Sequence, residues 1–167
     1  MNTLIKLSDG LSDVMAKVSA VLLGLMTLLI LLEIFLWNTL QKTTLIADEY
    51  SAYGLAAIIF LGAGYCLKEK GHIRITLILG LLPETISRVI AFIATVITTS
   101  FMGYVLWYLF KMVKATYRYQ STSGTLTNTP IWIPQAIMLM GAACFFIQLV
   151  ATVFKAWQAI KTKEEVL

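Results

Sequence analysis

The side chains able to do chemistry are few and stand far apart. Glu33 lies four residues before Trp37 in an apolar run, Asp48 and Glu49 adjoin at the start of a second run, and the single histidine, His72, sits in KEKGHIRI among Lys68, Lys70 and Arg74. An ionised carboxylate costs up to about 3 kcal/mol at the centre of a bilayer, which makes Glu33 a candidate for proton or substrate handling. Its place one turn inside the end of its run also lets it reach headgroups or a partner. Asp48 and Glu49 admit two readings. At a helix start a carboxylate satisfies orphan amides and meets the positive end of the dipole, worth about 0.3–1 kcal/mol; alternatively, the pair meets a basic residue of a neighbouring subunit. His72 is a poor metal ligand on its own and reads as a hydrogen-bonded loop residue. The cations around it, Arg74 included, pin a helix end and pair with anionic headgroups.

Cys66 and Cys144 stand singly in apolar segments, without the spacing of a redox relay or a zinc site. They read as small buried hydrophobes, which weakens the case for a membrane redox enzyme. The sequence shows no glycine-rich phosphate loop, no nucleophile with a base and no paired charges within an apolar run. It therefore predicts neither a catalytic site nor a cofactor or metal site.

The elements that must hold these residues follow from composition. Of 167 residues, 59% are hydrophobic and 13% charged, and mean hydropathy is +0.82; soluble domains average roughly 25% charged. Four runs, 18–37, 50–67, 89–110 and 131–154, each offer about the 20 apolar residues needed to cross roughly 30 Å of hydrocarbon as a helix. They are too long and too uniformly apolar for barrel strands, and lipid leaves no other way to pair the backbone. The expected fold is an all-α membrane protein, a single membrane domain over residues 1–167.

Lysine and arginine outside these runs divide nine against four, which predicts both termini in the cytoplasm. Trp37, Trp107 and Trp132 fall near the outer helix ends and Trp157 near an inner one, as an aromatic belt requires. A pI near 9.1 could suggest nucleic acid. The cations flank apolar blocks instead of sharing a polar face, so orientation in the membrane accounts for them and no nucleic-acid partner is expected. The first 17 residues carry Asp9 and Asp13 beside Lys6 and Lys17, and no small-x-small cleavage site follows, so the first helix is expected to be retained.

Two further segments suit the membrane surface. In 4–17, continuing to Val18, the residues Leu4, Leu7, Leu11, Val14 and Val18 recur every three or four positions, which fits an interfacial amphipathic helix or an extension of helix 1. Segment 73–83 is too short to span and ends at Pro83. The outer connection KATYRYQSTSGTLTNTP, 114–130, carries Arg118 and leads to Trp132; it is the longest polar link and is open to a partner outside the membrane. Gly54, Gly62 and Gly64 in helix 2 and Gly141 in helix 4 mark close helix packing, which small residues permit in lipid.

These residues resemble a known family. The stretch DEYSAYGLAAIIFLGAGYCLKEKGHIRITLILGLLP from Asp48 to Pro83, with its acidic start, FLGA at Phe60–Ala63 and GHIRI at Gly71–Ile75, is similar to the small membrane subunit, or Q subunit, of tripartite ATP-independent periplasmic (TRAP) transporters. SGTLTNTPIWIP at Ser123–Pro134 is a weaker match. The resemblance implies a partnership with a large multi-helix permease that carries the sodium and substrate sites, and with an extracytoplasmic binding protein that delivers an organic acid anion. It implies a scaffold against which the transport domain moves like an elevator. Candidate partner contacts are then Glu33, Asp48, Glu49, His72, Arg74, Arg118 and Trp132, with membrane lipid around the bundle. The rival reading is a small four-helix proton-coupled multidrug exporter, which also carries a glutamate in its first helix; the long outer loop has no obvious use there.

Overall fold

A computed structural model of the chain describes residues 2–69 and 83–162. Four helices make up the described fold: α1 (Asn2–Leu40), α2 (Ala47–Lys68), α3 (Glu84–Arg118) and α4 (Trp132–Thr162). Each is long and apolar enough to cross a membrane. The four apolar runs fall on α1 to α4, so the protein is an all-α, multi-pass membrane protein. His72, Arg74 and segment 73–82 lie outside the described residues.

Of the two readings of segment 4–17, the structure takes the extension: α1 runs from Asn2 to Leu40 without a break. Its buried face is not the apolar stripe. Leu7, Val14 and Val18 point outward, while Ser8, Ser12 and Ser19 are buried. In lipid an aliphatic residue gains nothing by turning inward, whereas small hydroxyl-bearing residues let backbones approach and supply hydrogen bonds.

α2 and α4 form the centre of the bundle. They pack against each other, α1 packs against both, and α3 packs against α4. A Cβ on Gly141 would stand 2.7 Å from the carbonyl carbon of Phe60 and 2.8 Å from the amide nitrogen of Leu61, so α4 crosses α2 backbone to backbone. A Cβ on Gly54 would run into the thioether of Met26 on α1, and one on Gly64 would come within 3.1 Å of Ser12 Oγ. Gly62 is looser, with Ser19 Oγ at 3.4 Å. Beside this crossing, Met102 of α3 packs with Ala142 and Leu149 of α4 in a small core flanked by Phe60, Leu106, Phe145 and Phe146.

The helix starts follow local chemistry. Pro83, which has no amide hydrogen, precedes α3 and accepts from the amides of Ile86 and Ser87 at 2.9 and 3.1 Å. Pro134 sits in the first turn of α4, where a missing N–H costs no intrahelical bond. By contrast, α2 begins after Ile46 with no side-chain cap. Asp48 and Glu49 occupy its first turn, next to the dipole's positive end, without capping it.

Candidate partner-facing site and its polar clusters

The described acids at the α1–α2 end of the bundle do not act alike. Glu33, half-buried near the end of α1, binds the α1–α2 turn. Its Oε1 accepts from the Thr43 hydroxyl and, at 3.0 Å, from the Thr44 amide; its Oε2 accepts from the Thr44 hydroxyl at 2.5 Å. The turn includes two left-handed residues that are not glycine, Gln41 at φ 51° and Leu45 at φ 57°. Such conformations persist where surrounding contacts over-determine them. Here the Leu45 amide donates to Thr43 Oγ1 at 3.1 Å, and Thr43 is itself held by Glu33. Glu33 is thus engaged as a clamp on a neighbouring turn at the C-terminal end of its helix.

Glu49 reaches across to the α3–α4 connection. Its Oε2 accepts from the hydroxyls of Thr125 and Thr127, more than seventy positions away. Around it the connection folds on itself. Thr122 bridges Pro130, the Ser123 amide donates to the Thr129 carbonyl at 2.9 Å, and the Ile131 amide donates to the Ser121 carbonyl at 3.1 Å. Thr at 125, 127 and 129 turns three hydroxyls inward, linked through Thr127 at 2.9 and 3.0 Å, with Ser123 Oγ 2.8 Å from Thr125 Oγ1. Asn128 supplies the left-handed residue of this turn at φ 46°, a conformation that asparagine tolerates. Tyr50 OH stands 3.4 Å from Thr129 Oγ1, so α2 grips the connection at two successive residues.

The remaining candidates divide. Asp48 is exposed and, with Glu33, Trp37, Asn38 and Thr43, lines an open cavity of about 350 Å³. Arg118, the last residue of α3, is exposed and makes no ion pair among the described residues. Trp132 stacks edge-on against Tyr117, with ring centres 5.5 Å apart and planes at 90°, so it ties α4 to α3.

A second cluster lies at the opposite end of the bundle and was not singled out from the sequence. Gln148 of α4 is buried, and its Oε1 accepts from the hydroxyls of Ser8 and, at 3.1 Å, Ser12, while its Nε2 donates to Asp9 Oδ1 at 2.9 Å. Lys155 approaches the same carboxylate at 3.3 Å, and Lys68 of α2 meets Asp13 at 2.5 Å. The available signal was a glutamine inside an apolar run opposite serines spaced four apart, which in lipid requires a partner.

Together the fold and these clusters define a class: a small multi-pass helical membrane protein whose described interior polar groups are engaged largely with one another. Residues 26–159 match the family described as tripartite ATP-independent periplasmic transporters, DctQ component, and the chain belongs to that family. It is the small component of a TRAP transporter, in a family of transporter components, not of enzymes. Membership implies a complex with a large permease and a binding protein. No curated protein and no solved structure gives a significant match to the chain.

Proposed function

We propose that this chain is the scaffold subunit of a sodium-driven transporter for organic acid anions, bracing the large permease and helping to dock the extracytoplasmic binding protein. Both termini lie in the cytoplasm in this reading, supported by the nine-to-four division of cations and by the tryptophans at the outer helix ends. One observation carries the bracing role: α1 and α3, which flank the bundle, bury only 6% of their most apolar stretches within the chain, against 28% for α2 and α4. Large aliphatic faces are thus left for lipid and for another protein's helices. Ser8, Asp9, Ser12, Asp13 and Glu33 of α1 are meanwhile engaged by Gln148, Lys68 and the α1–α2 turn. Among the described residues, Asp48 and Arg118, exposed at the outer ends of α2 and α3, are the partner contacts that remain open.

The test is reconstitution. The chain purified in mild detergent should bring with it a permease of many helices, and liposomes should take up organic acid when both membrane subunits, the loaded binding protein and an inward sodium gradient are present. Saturable uptake or efflux by this chain alone would overturn the reading.

A further inference from the structure

The outer end of α3 carries a line of exposed residues, Tyr104, Trp107, Lys111, Lys114 and Arg118, spaced three and four apart and so on one face of the helix. We infer that its upper part, Lys114 and Arg118 with the adjoining Tyr119, is an electrostatic docking surface for an acidic patch on the extracytoplasmic binding protein. The inference rests on the function and orientation proposed above.

Height above the lipid separates the three cations. With Trp107 in the aromatic belt and a rise of 1.5 Å per residue, Lys111 stands about 6 Å further out, Lys114 about 10 Å and Arg118 about 16 Å. The headgroup layer is roughly 5–8 Å thick on each side. Lys111 therefore falls among the headgroups, and its ammonium turns back over the rings of Trp107 and Tyr108, at 5.3 and 5.5 Å from their centres. Lys114 and Arg118 stand in water beyond it.

Their charge is also unpaired. Among the described residues none of the three cations forms an ion pair: Glu33 is bound to the α1–α2 turn, Glu49 to the threonines of the outer connection, and Asp48, exposed on α2, pairs with none of them. The dipole at the end of α3 favours cations here, but it amounts to about half a negative charge. Tyr119, 77% exposed directly after Arg118, adds a large amphipathic contact beside the charge, and tyrosine and arginine are the residues that most often anchor interfaces. Such a surface acts chiefly on encounter rate and salt dependence.

The experiment measures association of the purified binding-protein component with the two membrane subunits in nanodiscs of zwitterionic lipid, across a salt series. K114E/R118E should weaken association by at least about tenfold at low salt and flatten its salt dependence, K114Q/R118Q should do so less, and Lys111→Gln should leave both unchanged. Copurification of each variant with the permease shows that the complex is intact. Unchanged affinity and salt slope in K114E/R118E, with wild type associating normally, would overturn the inference and leave the proposed function standing. Loss of the permease from the complex would assign the cations to that subunit instead, and a defect seen only with anionic lipid would assign them to the membrane; either result overturns it. Failure of the wild-type complex to associate with the binding protein, or labelling of Arg118→Cys from the cytoplasmic side, would instead defeat the underlying reading.

Discussion

Gly141 and Phe60 meet backbone to backbone, so close that a methyl group on Gly141 would stand 2.7 Å from the Phe60 carbonyl carbon. That distance belongs to main chain on both sides, and no rotamer change can relieve it. Overpacking of this kind typically costs about 1–3 kcal/mol. Gly141→Ala should lower the thermal midpoint of the detergent-solubilised chain, and Gly141→Leu should prevent the bundle from forming. Gly24→Ala is the control, because nothing stands within 4 Å of that position. Equal midpoints for the two alanine variants would contradict the packing.

The Gln148 cluster should behave as a coupled unit. Removing the amide with Gln148→Leu leaves the hydroxyls of Ser8 and Ser12 and one side of Asp9 without their partner, and buried groups so stranded cost about 1–3 kcal/mol. In a double-mutant cycle, Ser12→Ala and Gln148→Ala should show a coupling of about 0.6 kcal/mol, the size found for hydrogen bonds between membrane helices. Strict additivity would mean that the hydrogen bond contributes nothing.

Glu33 should report on the turn beside it. Glu33→Ala removes the acceptor shared by Thr43 and Thr44 and frees the left-handed Leu45. Hydrogen exchange at the amides of Thr44 and Leu45 should accelerate, with helical amides in the middle of α1 unchanged. A carboxylate that served proton coupling would leave exchange in the turn unaffected and abolish transport.

For the α3–α4 connection the expected readout is cleavage. Thr125→Val with Thr127→Val removes both donors to Glu49 Oε2 while retaining much of their bulk. The segment between Tyr119 and Ile131 should become sensitive to limited proteolysis in the detergent-solubilised chain, and Glu49→Ala should do the same. Continued resistance in both variants would show that the bridge between Ser123 and Thr129 suffices to hold it.

The fold was largely legible because spanning length and apolarity are sums along the chain, and the structure places α1 to α4 where the runs are. The close contacts of Gly54, Gly64 and Gly141 were legible for a related reason: lipid gives a missing side chain few other uses. Not read from the sequence was the buried face of the N-terminal half of α1: Leu7, Val14 and Val18, whose stripe suits a membrane surface or an extension of the helix, face outward, and Ser8 and Ser12 face inward. The grip of Glu49 on Thr125 and Thr127 was hidden for another reason. Its partners lie across the bundle, and neither spacing nor composition encodes which loop folds back over a helix end.

The lengths of the flanking helices carry a mechanical consequence. With 39 and 35 residues, α1 and α3 extend about 58 and 52 Å, against roughly 30 Å of hydrocarbon. Neither contains proline, and each runs unbroken from end to end. Each is therefore a stiff strut rather than a jointed one: force applied at one aqueous end arrives at the other as tilt of the whole rod, and the lipid between acts as its fulcrum.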